Sequence, residues 1–232
     1  MLKKQMLRYF SVFEIMLWSL SALLILLSFY FFGGENHLML LASLIGVTSL
    51  IFNAKGNPFG QLLMVVFSLF YGIISFSFAY YGEMITYLGM TMPMAVFALI
   101  AWMRHPYNGK RSEVAVHTVT KGEIRTMLVG SLLVTAVFYF ILDCFHTSNI
   151  LPSTLSVTTS FLAVYLTYKR SPYFALAYAA NDLVLILLWI LASIQDLQYG
   201  SVVVCFVAFL ANDIYGYVSW RRMKHRQELN AS

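Results

Sequence analysis

Long apolar runs follow one another along almost the whole chain, separated by short polar segments. Each run is close to the roughly 20 residues that a helix needs to cross the hydrocarbon core of a bilayer. The runs cover residues 11–32, 38–53, 59–80, 84–103, 127–142, 150–168, 173–194 and 201–220. The pattern therefore predicts an all-α, polytopic membrane protein with eight transmembrane helices.

The composition agrees with a membrane protein. Of the 232 residues, 60% are hydrophobic and 11% are charged, whereas a typical soluble domain is about 45–50% apolar and about 25% charged. The first run is longer than the apolar part of a signal peptide, and no small-residue cleavage site follows it. We therefore expect the first run to be a membrane helix.

Lys and Arg residues occur only in the two tails and in every second connection. These five segments hold all 15 of them, and the connections around Glu35, Glu83, His146 and Gln195 hold none. Because Lys and Arg are retained in short cytoplasmic loops, both termini are predicted to be cytoplasmic. Basic residues spread over five segments form no single stripe, so the net charge of +5 indicates orientation and not nucleic-acid binding.

Two parts of the chain resemble each other. The pattern Lys-x-x-Pro-aromatic occurs at residues 55–59 and again at 169–173, an offset of 114 residues. A Tyr-Gly pair precedes Trp102 and another precedes Trp220, and both Gly-to-Trp separations are 20 residues. These matches predict a duplicated three-helix unit. An even number of crossings separates the copies, so the repeats should be parallel.

The predicted organisation is two three-helix repeats around a connector helix, with an extra helix at the N-terminus. Pro93, inside the fourth run, should interrupt regular helix geometry because proline lacks the backbone N–H. We expect a tail and extra helix at 1–33, a first bundle at 38–103, a cytoplasmic loop and connector at 104–143, a second bundle at 149–220 and a cytoplasmic tail at 221–232.

The tripeptide Ala-Asn-Asp occurs twice, each time near the middle of an apolar run. Asn181 and Asp182 lie in the seventh run, and Asn212 and Asp213 lie in the eighth. Polar side chains are costly at hydrocarbon depth, so they normally face the bundle interior or a watery pathway. We therefore predict that these two helices line a small-molecule pathway. The two acids could couple transport to protons or could simply bond to neighbouring groups.

Further aromatic and polar residues share helix faces with these four or line the third run. Rings can stack on a flat heterocycle, and buried donors and acceptors select a polar ligand. Packing between helices is the alternative role for each of them. The candidate substrate-binding residues are Asn181, Asn212, Asp182, Asp213, Tyr178, Phe174, Trp189, Tyr215, Gln61, Ser68 and Tyr71.

Few residues could support other functions. The chain has two cysteines and five histidines, and none has metal-ligand spacing, so no metal or cofactor is expected. No Lys lies inside any run, which disfavours a heptahelical sensor with a retinal-type Schiff base. For an enzyme, Asp182 and Asp213 are the only candidate acids, and no nucleophile with a base accompanies them.

The repeat around a connector, the fourth run with Pro93 and Trp102, and the Asn-containing seventh and eighth runs resemble the nicotinamide riboside transporter family, PnuC, over roughly residues 38–222. The resemblance implies a fold like that of the SWEET transporters and a location in the bacterial inner membrane. It also implies facilitated diffusion of the riboside, which a cytoplasmic kinase then traps by phosphorylation, and trimeric association.

The chain departs from this family at one place. Characterised members carry Trp-x-x-Trp early in the seventh helix, where this chain has Tyr173, Phe174 and Tyr178. The resemblance implies that the ligand binds near Asn181 and Asn212. The alternative substrate is thiamine or another vitamin, moved either alone or together with protons.

Overall fold

The computed structural model describes residues 9–32, 37–77, 81–147 and 149–230. Within these ranges the helices are α1 (Val12–Phe31), α2 (His37–Ala54), α3 (Pro58–Ser77), α4 (Tyr81–Thr86), a π-helical turn (Tyr87–Thr91), α5 (Met92–Arg104), α6 (Lys121–Cys144), α7 (Ile150–Tyr168), α8 (Tyr173–Ser193), a 3-10 turn (Leu197–Tyr199) and α9 (Gly200–Leu229). In this part of the chain, eight helical spans are long and apolar enough to cross a membrane. The predicted all-α membrane fold is confirmed.

Some of the predicted segments fall partly outside the described ranges. These are the first eight residues of the N-terminal tail, the end of the third run at 78–80 and the last two residues of the C-terminal tail. In the described part of the predicted tail, α9 continues as a helix to Leu229.

The two long helices that begin after a polar segment have the same start signal. At α1 the Ser11 side chain accepts a hydrogen bond from the Glu14 N–H, while the Glu14 carboxylate accepts one from the Ser11 N–H. Thr120 and Glu123 repeat this capping box at α6. Each box satisfies two backbone donors that a helix start otherwise leaves unpaired.

The fourth crossing consists of α4, the π-helical turn and α5. Pro93 lies in the first turn of α5, directly after the π-helical turn. The Met92 N–H donates to the Tyr87 carbonyl, five residues earlier. A proline removes one donor from the helix ladder, and a wider turn just before it relieves the clash of its ring with the preceding turn. The interruption predicted from Pro93 takes this form.

The two turns that carry the repeated Lys-x-x-Pro pattern have the same backbone geometry. Gly56 and Arg170, which lie 114 residues apart, both adopt the left-handed conformation, with φ of 65° and 56°. The Gly56 N–H donates to the Asn53 carbonyl and the Arg170 N–H donates to the Thr167 carbonyl, each at 2.9 Å. Equivalent positions in the two predicted repeats therefore have equivalent hydrogen bonds.

Trp102 and Trp220 exchange hydrogen bonds between the two predicted repeats. Trp102 Nε1 donates to the Thr167 carbonyl at 2.9 Å, and Trp220 Nε1 donates to the Asn53 carbonyl at 2.7 Å. Their ring centroids lie 5.2 Å apart, and both side chains are fully buried. This reciprocal arrangement supports the duplication, which stays a prediction.

A small hairpin, β1 (Pro106–Tyr107) paired antiparallel with β2 (Lys110–Val114), lies in the long basic connection. The sequence analysis predicted only a cytoplasmic loop here. The missed signal was Asn108-Gly109, because both residues adopt positive φ (47° and 74°), as a tight hairpin turn requires. The hairpin places Val114 in the buried interior at the basic end of the bundle.

We expect Trp102→Phe and Trp220→Phe each to lower the free energy of unfolding by roughly 1–3 kcal/mol, because each removes one of the two donors to a buried carbonyl and leaves a gap in the packed core. Thermal unfolding of the purified protein in detergent checks this. Trp18→Phe is the matched control, since Trp18 is 39% exposed and bonds only to the Thr48 hydroxyl. Equal effects for all three variants would contradict the proposed role of the two buried indoles.

Candidate functional site

The four residues of the repeated Asn-Asp pair all face the protein interior. Asn181 and Asp182 on α8 are 4% and 3% exposed, and Asn212 and Asp213 on α9 are 1% and 4% exposed. Helices α8 and α9 pack directly against each other. The placement agrees with the expectation that polar side chains at this depth avoid lipid.

The Asn181 side chain is held by α7. Its Oδ1 accepts hydrogen bonds from Thr159 Oγ1 at 2.8 Å and from Ser160 Oγ at 3.1 Å. Two donors on one oxygen fix the orientation of the amide, because only the carbonyl end can accept both. Asn181 therefore presents a defined edge toward the bundle interior.

The Asn212 side chain is held by α1, the helix outside the predicted duplication. Its Nδ2 donates to Ser21 Oγ at 2.9 Å and to the Ala208 carbonyl at 2.8 Å. Its Oδ1 is buried and has no hydrogen-bond partner among the described residues. A buried acceptor without a partner is energetically costly, so this oxygen is suited to a donor supplied by a ligand.

The two carboxyl groups lie next to each other, within hydrogen-bonding reach, and the Tyr178 hydroxyl lies near both of them. Asp182 Oδ2 has no partner in the described part of the chain. A hydrogen bond between two carboxyl groups requires a hydrogen on one of them. The pair can therefore hold a proton between α8 and α9.

Two of the predicted residues on α3 belong to the same interior. Ser68 is fully buried, and its hydroxyl has no hydrogen-bond partner in the ranges that the structure describes. Tyr71 is 6% exposed. The Tyr71 ring lies 4.4 Å from the Tyr87 ring, centroid to centroid. Gln61 is also buried, but its Nε2 donates to Asn53 Oδ1 at 2.8 Å, near the first of the two repeated turns.

The structure separates Phe174 and Tyr215 from this group, whereas Trp189 belongs to the same apolar cluster as Tyr71 and Tyr87. Phe174 packs on Trp220 at 4.9 Å between ring centroids, at the basic end of the bundle. Trp189 lies toward the opposite end, where its ring is 5.5 Å from that of Tyr199. Tyr215 faces α1, and its hydroxyl donates to Glu14 Oε1 at 2.8 Å.

A cavity of about 210 Å³ opens at the end of the bundle that lacks Lys and Arg. It lies between α4, the end of α6, α7 and α8. Its polar lining includes Glu83, Thr86, Ser153, Ser156 and Gln195, and the Trp189 indole forms part of its wall. None of the residues that line it is Lys or Arg.

The sequence analysis found Trp189 in this lining and missed the others. Ser153, Ser156 and Ser160 follow one another at intervals of three and four residues, so they share one face of α7. That spacing was a readable signal of a polar stripe. Glu83 was recognised only as part of a connection without positive charge.

The cavity ends above the buried polar group. Ser156 lines the cavity, and Ser160, one turn along α7, bonds to Asn181. Trp189 lines it too, and Asp182 lies seven residues away on α8, about 10 Å along the axis. Beyond this group, Trp102, Phe174 and Trp220 pack together and fill the basic end. The structure is thus open toward one end and closed toward the other.

The described residues offer no metal site, since no group of three or more His, Cys, Asp or Glu side chains among them could hold an ion.

An eight-span helical bundle with an end-opening cavity above buried amides and carboxyls is the architecture of a membrane transporter. The sequence profile of the family described as nicotinamide mononucleotide transporter matches residues 36–222. The chain belongs to this family of transporters, and it is not an enzyme.

Two relatives support this assignment. The nicotinamide riboside transporter PnuC of Neisseria mucosa is 24% identical over 204 residues, which cover 85% of this chain and 76% of the relative. A crystal structure of the vitamin B3 transporter PnuC superimposes with a TM-score of 0.80 at 21% identity and covers 94% of both chains. The second comparison shows that the two chains share a fold.

We expect Ser156→Cys in a Cys144→Ser background to react with a water-soluble maleimide, because Ser156 lines the cavity. Leu155→Cys in the same background is the control, because Leu155 is 52% exposed on the apolar outer surface of α7 and should face lipid. The measurement is the extent of labelling in proteoliposomes. Faster labelling of the Leu155 variant would contradict the placement of the cavity.

Proposed function

We propose that this protein carries nicotinamide riboside across the bacterial inner membrane by facilitated diffusion. The observation that carries the proposal is a cavity free of Lys and Arg that leads toward buried carboxyl and amide groups. The relative from Neisseria mucosa is named for the same compound.

Charge favours the riboside over the mononucleotide named in the family description. Nicotinamide riboside carries a positive pyridinium ring and a neutral ribose, whereas the mononucleotide adds a phosphate. Phosphate recognition normally uses Arg, Lys or helix N-termini. Among its described lining residues the cavity has no Arg or Lys and carries Glu83 instead, so a phosphate would meet a carboxylate and no permanently charged cation.

The proposed roles follow from the chemistry of each side chain. Asp182, Asp213 and Glu83 would attract the cationic ring, Trp189 would stack on it in the cavity, and Tyr178 would contact it deeper along the pathway. The amides of Asn181 and Asn212 would bond to the carboxamide or to the ribose hydroxyls. Ser68 and Tyr71 supply two further hydroxyls from the opposite side of the bundle. Phe174, Gln61 and Tyr215 are proposed to support the site by packing.

Thiamine is the second candidate substrate, and one observation favours it. Its thiazolium ring carries the same positive charge, so the carboxyl pair of Asp182 and Asp213 suits it equally well. The same pair could carry a proton during the transport cycle. Coupled proton movement is therefore part of this alternative.

Transport would require the two predicted bundles, 38–103 and 149–220, to move relative to each other. In the described state the cavity would face the outside, because the Lys- and Arg-rich end is proposed to be cytoplasmic. This places both termini in the cytoplasm. The aromatic cluster of Trp102, Phe174 and Trp220 would then separate to let the substrate leave.

Three further parts of the proposal derive from the family resemblance. A cytoplasmic kinase would phosphorylate the riboside and trap it inside, because the product carries a phosphate that the pathway does not accept. Lipid would surround the exposed apolar faces of the bundle. The protein would associate as a trimer.

We expect Asn181→Leu to lower the uptake of labelled nicotinamide riboside into proteoliposomes by about tenfold or more, because the loss of a buried hydrogen-bonding group costs roughly 1–3 kcal/mol. Leu183→Ala is the control, since Leu183 lies two residues away and is 58% exposed on the lipid side. Uptake by Asn181→Leu at the wild-type rate would remove this residue from the site.

Thermal unfolding with a panel of compounds should separate the candidate substrates. A ligand at 100 times its dissociation constant adds about 2.7 kcal/mol of stability. We expect nicotinamide riboside to raise the unfolding temperature and nicotinamide mononucleotide to leave it unchanged. A shift with thiamine alone would favour the second candidate, and a shift with the mononucleotide would contradict the charge argument.

A further inference from the structure

Four residues of the basic connection, Val114 to His117, form a segment that we call the strap. The Val114 N–H donates to the Gly56 carbonyl at 2.9 Å, and the His117 N–H donates to the Arg170 carbonyl at 3.0 Å. Gly56 and Arg170 are the two left-handed residues of the repeated turns. The strap therefore bonds to equivalent positions in both predicted bundles.

The strap covers the closed end of the pathway. The Val114 side chain is fully buried and belongs to the same apolar cluster as Trp102, Phe174 and Trp220. Val116 packs against this cluster as well. The strap, as part of the basic connection between α5 and α6, thus covers the aromatic rings that fill the basic end.

Gln227, near the end of α9, holds the strap in place. Its Oε1 accepts a hydrogen bond from the Val116 N–H at 2.8 Å, and its Nε2 donates to the Val114 carbonyl at 3.0 Å. Nε2 also donates to Glu113 Oε1 at 2.9 Å, and Arg226 forms an ion pair with that carboxylate. One amide therefore bonds to two backbone groups of the strap and to a carboxylate beside it.

The other end of the strap is anchored by side chains around Glu123. His117 Nε2 lies 2.9 Å from Glu123 Oε2, and Lys169 Nζ lies 3.0 Å from Glu123 Oε1. The hydrogen bond to Glu123 raises the pKa of Lys169 above its ordinary value, so Lys169 stays charged at neutral pH. His117 thereby connects the strap to α6 and to the turn after α7.

The length of the strap limits how far the two turns can separate. Three residue steps join the Val114 and His117 nitrogens, and extended chain spans at most about 3.3–3.6 Å per residue. The two nitrogens can therefore lie about 10 Å apart at most, and each hydrogen bond adds about 3 Å to the distance between the two turn carbonyls. If the bundles part further than this at the basic end, at least one of the two bonds must break.

We propose that the strap is a latch that closes the basic end of the pathway and that it leaves at least one of the two turns each time the transported molecule is released there. The latch acts when the basic end opens, whichever substrate is carried, and it rests on the proposed movement of the two bundles.

The test measures whether residue 114, the buried first residue of the strap, becomes accessible. Val114→Cys is made in a Cys144→Ser background, and its reaction with a membrane-impermeant maleimide is followed from the basic side. Gln227→Leu, which removes all three hydrogen bonds of this amide, should speed the reaction by about tenfold or more, since labelling follows local opening. Glu228→Gln is the matched control, because Glu228 pairs only with Lys224 on the outer face of α9. Its labelling rate should stay unchanged.

Two further comparisons separate a latch from a merely structural contact. His117→Pro removes the donor to Arg170 and should also speed labelling, whereas Thr118→Pro, one residue further along, should not.

The response to substrate is the second comparison. Nicotinamide riboside during transport should speed the labelling of Val114→Cys and leave the labelling rate of Arg111→Cys, an exposed hairpin position, unchanged. Equal rates with and without Gln227→Leu, or no response to a compound that the same vesicles take up, would overturn the latch. Absence of riboside uptake would overturn the proposed substrate and leave the first comparison valid.

Discussion

The structure depends on one constraint: a polar group at hydrocarbon depth must find its hydrogen-bond partner inside the protein. Asn181 meets it through α7 and Asn212 through α1, while the two buried indoles bond to carbonyls at the ends of helices from the opposite bundle. Apolar contacts between helices gain little over contacts with lipid. The polar bonds therefore decide which helices lie beside one another.

Several atoms of the candidate site do not meet this constraint. Asn212 Oδ1, Asp182 Oδ2 and the Ser68 hydroxyl are buried and unpartnered within the described ranges. A structural network would be expected to satisfy these atoms, as helix interiors usually do. A site that binds and releases a polar ligand instead leaves some of its hydrogen-bonding groups available to that ligand.

Apolar runs and the distribution of Lys and Arg were sufficient to predict the eight crossings, and the repeated Asn-Asp pair was sufficient to predict polar groups in the interior. Lateral neighbours could not be predicted, because lipid and a packed helix favour the same apolar residues. Tyr215 shares a helix with Asn212 and yet faces Glu14 on α1. The wall of the cavity combines residues from four segments, and Glu83 joins it only through the packing of α4.

Helix α1 makes the two otherwise similar bundles unequal. Glu14 bonds to Lys55, just after α2, and to Tyr215 on α9, while Ser21 bonds to Asn212 on α9. This helix joins α2 and α9 through side-chain hydrogen bonds, whereas α6 contacts the fourth crossing and α7 mainly through apolar side chains such as Leu142. The contact between α2 and α9, which α1 reinforces, can therefore serve as the hinge about which the two predicted bundles move apart.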